Sequence, residues 1–236
     1  MFHTTRWSMV VQTRLPPEQS RDALESLCGS YRPPVVAWLR AHGSAQADAE
    51  DLAQAFFEQM LLNRFHAAAD PARGRFRSFL LTALKHFVAN QREHDQALKR
   101  GGAAVFTTLD EQCDPADESH AAPDQAFERD YALTVIARAV ARLRAEALRA
   151  GKAGLFDQVE AYLLEPPDPS EYAALADRLG MRRNTLAVAI HRLRNRLRDM
   201  VREELEDTVD GPAALEIEMA MLRKALSNPL QADPAG

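Results

Sequence analysis

The sequence predicts an all-α protein made of two helical domains. Apolar residues recur at three- and four-residue spacing along most of the chain, and strand-like alternation is almost absent. Apolar residues make up 46% and charged residues 27% of the 236 positions, a balance that favours a folded core over disorder. Gly and Pro residues cluster between the periodic stretches, so the helices are expected to be separated by defined breaks.

Four helices are expected in the first hundred residues. The first starts after Pro16 and Pro17, and the second covers about 34–41. Ser44 is placed to cap a third helix at about 46–62. A long fourth helix follows, with five inward-facing positions at Phe76, Leu80, Ala83, Leu84 and Phe87.

The next hundred residues predict four further helices, at about 125–149, 153–164, 170–178 and 183–205. A proline-rich break at 165–169 precedes the third of these, and Ser170 is placed as its N-cap. A last amphipathic helix is expected after Gly211, with an apolar stripe at Leu215, Met219, Leu222 and Leu226.

Charge divides the chain into segments of alternating sign. Residues 71–100 hold seven Lys or Arg against two acids, and 178–202 hold eight Arg against one acid. Between them, 109–130 hold eight acids against one Arg. Two basic modules joined by an acidic connector are typical of proteins that touch a polyanion at two places, although each basic run could also be a solvated helix face. The expected organisation is a first domain at 1–100, an acidic linker at 101–124, a second domain at 125–206 and a C-terminal extension at 207–236.

Residues 170–205 carry the pattern of a helix-turn-helix. A short helix ends at 179–181, and the following helix has an apolar stripe on one side and a cationic stripe on the other. In such motifs the start of the second helix reaches base edges and later cations reach phosphates. The candidates for base contact are Arg182, Arg183, Asn184, Val188 and His191. The candidates for phosphate contact are Arg192, Arg194, Arg196 and Arg198. An Arg-rich surface helix is the competing explanation.

Cations, aromatic residues and amides alternate along the helix predicted at 75–99 and just before it. This combination suits single-stranded or melting DNA, because aromatic faces hold unstacked bases while Arg follows the backbone. The aromatic residues also lie at core spacing, so packing competes with base stacking as their role. The candidate DNA-binding residues are Arg73, Arg75, Arg77, Phe79, Lys85, His86, Asn90, Gln91 and Arg92.

The helix predicted at 46–62 has an acidic face. Asp48, Asp51 and Glu58 follow one another at spacings of three and seven, and Glu50 and Gln54 lie beside them. The segment holds no basic partner for these side chains. A solvated face and a docking face for a basic helical partner are equally compatible with this pattern.

No motif in the sequence indicates catalysis, a metal or a cofactor. The seven His form no His-x-x-x-His pair, and no Gly-rich phosphate loop or nucleophile elbow is present. Cys28 and Cys113 have no metal-ligand spacing and are typical of free thiols in a reducing compartment. No apolar run approaches the roughly 20 residues that span a bilayer, and the N-terminus lacks the apolar core of a signal peptide. A cytoplasmic, non-enzymatic binding protein without membrane contact is expected.

Over about residues 20–205, the order and spacing of these motifs resemble bacterial sigma factors of the sigma-70 family, of the extracytoplasmic-function (ECF) type. The stretch 48–57 is similar to the helix that docks on the clamp helices of the RNA polymerase β′ subunit. The stretch 74–100 is similar to the part that melts and reads the minus-ten element. The helix-turn-helix is similar to the part that reads the minus-thirty-five element, with Thr185 inside its recognition helix.

The resemblance implies a sigma factor that binds core RNA polymerase, through the β′ clamp helices and the β flap, and directs promoter-specific initiation. It implies polymerase docking by Asp48, Glu50, Asp51, Gln54 and Glu58. An anti-sigma factor or a regulatory kinase is implied as a further partner. Two other functions stay open: a helix-turn-helix regulator that does not dock on polymerase, and a sigma-like adaptor for protein interaction.

The sequence departs from the family pattern at three positions. Ala55 stands where an acidic residue is common in the docking helix, Ala187 where a Lys is common in the recognition helix, and Arg182 where a capping Ser or Pro is common. The promoter sequence therefore does not follow from the resemblance. The extension at 207–236 exceeds the two-domain plan. We expect it to pack on the second domain, and the alternative is that it restrains DNA or polymerase binding.

Overall fold

The computed structural model describes residues 12–13, 17–63, 75–99, 121–206, 209 and 211–227. All regular elements within these ranges are helical, which confirms the all-α prediction. They are α1 (Pro17–Ala41), α2 (Gln46–Leu62), α3 (Phe76–Lys99), α4 (Ala121–Arg149), α5 (Ala153–Val159), a 3₁₀ turn (Glu160–Tyr162), α6 (Pro169–Leu179), α7 (Arg183–Glu206) and α8 (Gly211–Ser227). None of these helices combines the length and apolar character that crossing a membrane requires.

The chain divides into two compact units. The first contains Met1–Thr134 together with Glu206–Gly236, and the second contains Val135–Leu205. Helix α4 contributes its first residues to the first unit, and α8 also belongs to that unit. The expectation that the C-terminal extension packs on the second domain was wrong, because α8 forms ion pairs with α3 and its N-terminal flank.

Aromatic side chains join the helices of the first unit. Tyr31 of α1 packs edge-on against Phe76 of α3 and stacks on Tyr131 of α4, each at 5.4 Å between ring centroids. Phe56 of α2 meets Phe87 of α3 at 5.6 Å. The five inward positions predicted for α3 are all buried. Pairs of this kind contribute about 0.5–1.5 kcal/mol beyond the apolar area that they bury.

Helix α1 is continuous across two prolines. Pro33 and Pro34 lie inside it, so the prediction of two separate helices was wrong. Each interior proline costs about 3 kcal/mol, since it removes a helical hydrogen bond and crowds the preceding turn. Leu27, Tyr31 and Val35, one helical turn apart, are each at most 1% exposed. Burial of each such apolar side chain stabilises by about 1.5–3 kcal/mol, which offsets the proline cost.

Two predicted N-caps were also wrong. Helix α2 is preceded by Ala45, which makes no side-chain capping bond, and Ser44 does not cap it. Helix α6 is capped by Asp168 rather than Ser170: its carboxylate accepts from the backbone N–H of Ser170 and of Glu171, both at 2.8 Å. The Glu171 side chain accepts in return from the Asp168 N–H. Proline suits the first helical position, which moves the cap to the residue before it.

The helix predicted at 153–164 is shorter in the structure. Helix α5 ends at Val159 and a 3₁₀ turn of three residues follows. Phe156 and Val159 are buried, whereas Leu164, just beyond the turn, is 58% exposed. Leu163 is buried after the turn, so the buried face continues past the end of α5 and the 3₁₀ turn is a change of helix type within it.

Candidate nucleic-acid and protein interfaces

Helices α6 and α7 are joined by a tight turn. Gly180 adopts the left-handed conformation, with φ 62° and ψ 28°. The N–H of Met181 donates to the carbonyl of Ala176 at 2.9 Å, and the N–H of Gly180 donates to that of Asp177 at 3.2 Å. These two bonds satisfy the last carbonyls of α6 and form a Schellman motif, which fixes the direction of the chain into α7.

The start of α7 presents one apolar and one polar side. Leu186 and Ile190 pack with Val159 and Leu175 in the core of the second unit. The five predicted base-contacting residues and Thr185 lie on the other side, and all are exposed: Arg182, Arg183, Asn184, Thr185, Val188 and His191. The buried stripe thus leaves these six side chains together at the surface.

The four cations predicted to bind phosphate fall into two groups. Arg192 and Arg198 are exposed. Arg194 is half-buried, and its Nη2 donates to the carbonyl of Leu164 at 3.1 Å. Arg196 is also half-buried and belongs to an ion-pair network. Arg194 and Arg196 are therefore already engaged within the second unit, and their phosphate contacts stay predictions.

The network around Arg196 ties α7 to α4. Its Nη2 lies 3.0 Å from Glu146 and its Nη1 lies 3.1 Å from Glu203. Arg142 contacts Glu203 at 2.5 Å and Glu204 at 2.8 Å. The hydrogen bond from Arg142 lowers the pKa of Glu203, so the carboxylate is held in its charged form. Several charges linked in this way stabilise more than an isolated surface pair.

An apolar cleft lies within the second unit, between α4, α5 and α7. Leu143, Phe156 and Leu193 line it, with Lys152 and Arg192 among the cationic lining residues. An open apolar surface bordered by cations is suited to a partner that carries an apolar side chain and an acidic one.

In the first unit, two of the predicted DNA-binding arginines are paired with carboxylates. Arg77 is only 3% exposed, and its Nη1 lies 2.6 Å from Glu218 of α8. Its Nη2 lies 3.1 Å from Glu128 of α4, and its guanidinium carbon lies 5.2 Å from the ring centroid of Tyr131. Arg75 is 34% exposed and contacts Glu218 at 3.2 Å. The first turn of α3 and its flank are therefore held by α4 and α8.

A third predicted cation, Lys85, is also paired. Its Nζ lies 2.7 Å from Asp124, whose other carboxylate oxygen accepts from Trp38 Nε1 at 2.9 Å. These bonds explain why residues 121–124, assigned to the linker by charge and composition, are the first turn of α4. Residues 101–120 lie outside the described residues.

The remaining predicted DNA-binding residues of the first unit differ in exposure. Arg92 is exposed, and the half-buried ones are Phe79, His86, Asn90 and Gln91. Arg73 lies outside the described residues. The structure therefore brings most of these side chains to one helix, while α8 and α4 cover its beginning.

Sequence reasoning missed the carboxylates that bind these cations. Glu218 stands on the apolar stripe of α8, three residues after Leu215 and four before Leu222, and it is 2% exposed. An acid at a core-facing position was the signal that this helix meets a cation. Burial raises the pKa of Glu128, and the nearby Arg77 lowers it in part. Glu128 gave no such signal, because its sequence neighbours are ordinary for a helix surface.

The acidic face of α2 is at the surface. Its opposite side, with Ala53, Phe56 and Met60, is buried. Four of the five predicted docking residues are exposed, and Glu50 is half-buried with an ion pair to Arg32 at 2.6 Å. The exposed members are Asp48, Asp51, Gln54 and Glu58. This face therefore presents carboxylates to a partner without any change in the core.

The described chain is thus an all-helical protein in which an acidic helix and a basic helix share one unit and a tight helical turn organises the other. Residues 27–96, from within α1 to near the end of α3, match the protein family sigma-70 region 2. This match supports a sigma-70 family sigma factor. No curated protein and no solved structure matches the chain.

Proposed function

We propose that the protein is an ECF-type sigma factor that binds core RNA polymerase and directs promoter-specific transcription initiation. The observation that carries the proposal is the match of residues 27–96 to sigma-70 region 2, which spans the acidic α2 and most of the basic α3. The function is binding, with no chemistry by the protein itself.

Polymerase docking is assigned to the exposed face of α2. Asp48 and Asp51 are one helical turn apart and exposed above a fully buried apolar side. Such a row of carboxylates attracts a basic helical partner, speeds its association and excludes partners of like charge. The partner proposed here is the clamp-helix pair of the β′ subunit.

A second polymerase contact is proposed at the apolar cleft between α4, α5 and α7. Phe156 and Leu193 supply apolar surface there, and Lys152 supplies a positive charge. We assign this cleft to the β flap. The contact would hold the second unit on the polymerase while α7 meets DNA.

Promoter duplex recognition is assigned to the start of α7. Arg183 and Asn184 are exposed there, and both residue types form bidentate bonds with purine edges in the major groove. Val188 is 48% exposed, and an apolar side chain at that position suits the methyl group of thymine. This surface would read the minus-thirty-five element, while α3 meets the melted minus-ten element.

Transcription with purified core polymerase tests the proposal. Adding the protein to core enzyme and a library of genomic fragments should yield discrete start sites that share two upstream sequence elements. Core enzyme alone is the control. A protein that binds duplex DNA but never co-purifies with core enzyme would instead be a helix-turn-helix regulator. One that co-purifies but gives no start sites would be an adaptor.

A further inference from the structure

Helix α8 inserts one carboxylate into the basic surface of the first unit. Leu215, Met219 and Leu222 bury the apolar stripe of α8, and Glu218 lies on the same side, only 2% exposed. An ionised side chain is costly to bury unless opposite charges and hydrogen bonds compensate it. The burial of the Glu218 carboxylate therefore requires positively charged partners.

Glu218 faces the two arginines at the beginning of α3. Its two oxygens are divided between them: Oε1 lies 3.2 Å from Arg75, and Oε2 lies 2.6 Å from Arg77. The residues come from distant parts of the sequence, 143 positions apart for the first pair. The same guanidinium groups were predicted from sequence to follow a DNA backbone.

We propose that α8 competes, within the same chain, with single-stranded DNA phosphate for Arg75 and Arg77. Guanidinium binds carboxylate and phosphate through the same planar arrangement of N–H donors, so the Glu218 carboxylate occupies the place that a phosphate oxygen would take. With 3% exposure, Arg77 contacts no DNA while Glu218 is in place. This inference rests on the proposed function of α3 in binding melted promoter DNA.

Arg77 also has contacts that would stay in place if a phosphate replaced Glu218. Glu128 of α4 binds its Nη2 and the ring of Tyr131 lies beside it, so neither contact depends on α8. The buried Nε of Arg77 has no hydrogen-bond partner among the described residues. A buried donor left without a partner is destabilising, so the contacts that hold this arginine are incomplete.

The test compares single-stranded DNA binding by three forms of the full chain without polymerase. They are the wild type, Glu218→Gln and, as a matched control, Glu216→Gln, which removes an exposed charge from the same helix. Affinity for a fluorescent oligonucleotide is measured over a range of salt concentrations. We expect Glu218→Gln to bind about tenfold more tightly at low salt, because two cations become available to phosphate. Its plot of log affinity against log salt should be steeper by about 1.4, the value for two additional single-strand phosphate contacts.

Glu216→Gln should match the wild type in both affinity and slope. Equal affinity and slope for Glu218→Gln and the wild type would overturn the inference and leave Glu218 a structural ion pair. Weaker binding by Glu218→Gln would overturn it as well. Circular dichroism verifies that each variant is folded. Removal of residues 207–236, which should raise affinity at least as much as Glu218→Gln, provides a second variant.

Transcription separates this inference from the proposed function. If Glu218→Gln binds single strands more tightly but neither protein yields start sites with core enzyme, the competition by α8 stands and the sigma-factor proposal fails. If both proteins yield start sites and bind single strands equally, the sigma-factor proposal stands and the competition fails.

Discussion

Arg77 in the first unit and Arg183 in the second were both predicted to bind DNA, and their surroundings are opposite. Arg77 is 3% exposed between carboxylates from α4 and α8. Arg183 is exposed at the start of α7. One basic surface is occupied by the chain itself, whereas the other is open where base contact is predicted.

This difference shows that a run of positive charge in a sequence does not determine whether its arginines are available to DNA. A local charge count for residues 71–100 cannot include Glu218, which reaches them only through the fold. The same applies on a smaller scale within α7, where Arg196 is paired with Glu146 of α4 and Arg192 is exposed. The number of arginines therefore overestimates the number that are available to phosphate.

The largest effect is expected for a substitution on α2, which alters the proposed polymerase-docking face and leaves the predicted DNA-binding residues of α3 and α7 unchanged. Asp51→Arg reverses an exposed charge on α2, so core polymerase affinity should fall by at least about 100-fold, since like charges in an interface cost several kcal/mol. DNA binding and thermal unfolding should not change. Glu25→Arg on the exposed side of α1 is the control in the pull-down. Undiminished binding by Asp51→Arg would remove the docking role from α2.

The next largest effect concerns the open surface. Replacing both Arg182 and Arg183 by Ala should lower duplex promoter affinity by about 100-fold and relax sequence preference, because each arginine bound to a base edge contributes about 1–3 kcal/mol of discrimination. Arg149→Ala, an exposed arginine at the end of α4, is the control. Titration against promoter and scrambled duplexes measures both quantities. An equal loss on both duplexes would assign the two residues to phosphate instead.

A smaller effect separates available from engaged arginines within α7. Arg192→Ala should flatten the salt dependence of duplex binding by about 0.9, the value for one phosphate contact. Arg196→Ala should leave that slope unchanged and lower the thermal stability of the second unit, because Glu146 and Glu203 already bind its guanidinium. Equal changes of slope for the two variants would show that the network opens on DNA.

The smallest effect is expected for the N-cap of α6, the helix that precedes the exposed start of α7. Asp168→Ala removes the cap of α6 and should lower the midpoint of thermal unfolding, whereas Asp168→Asn keeps a capping oxygen and should lower it less. The hydrogen bond from the Glu171 N–H is the main cause that lowers the pKa of Asp168 in the folded protein. The stability due to its charge is thus present above the pKa of the unfolded chain and is lost as the pH falls through the lower folded pKa.

The pH dependence follows from this sign. Wild type and Asp168→Ala should differ most near neutral pH, and the difference should shrink in acid. Thermal unfolding followed by circular dichroism, at neutral pH and in acid, measures this difference in midpoint. A difference that grows in acid would contradict the capping role.

The helices were largely predictable because a buried stripe repeats with the helical period. This held for α3, whose five inward positions are all buried. The course of α1 through Pro33 and Pro34 was not predictable from local preference, since burial against other helices outweighs the proline cost. The cap of α6 was wrongly predicted as Ser170, although Pro169 marks the first helical position and so places the cap at Asp168.

The residue types of the candidate surfaces were predictable, but which of their charged side chains are paired with other parts of the chain was not. Spacing alone put Asp48 and Asp51 on one acidic face, which is exposed, and Phe76 and Leu80 in the core. It could not show that Lys85 meets Asp124 or that Arg77 meets Glu218, because those contacts depend on tertiary packing. Ion pairs between distant segments are the part of such a site that requires the fold.

The bond between Trp38 and Asp124 gives the protein an optical reporter of its own. The chain has two tryptophans, Trp7 and Trp38, so replacing Trp7 by Phe leaves a single indole in the folded core. That indole is 1% exposed and donates to the first turn of α4. Its emission wavelength and quenching by iodide would therefore follow, without any attached dye, whether this turn stays in place when core polymerase or DNA is added.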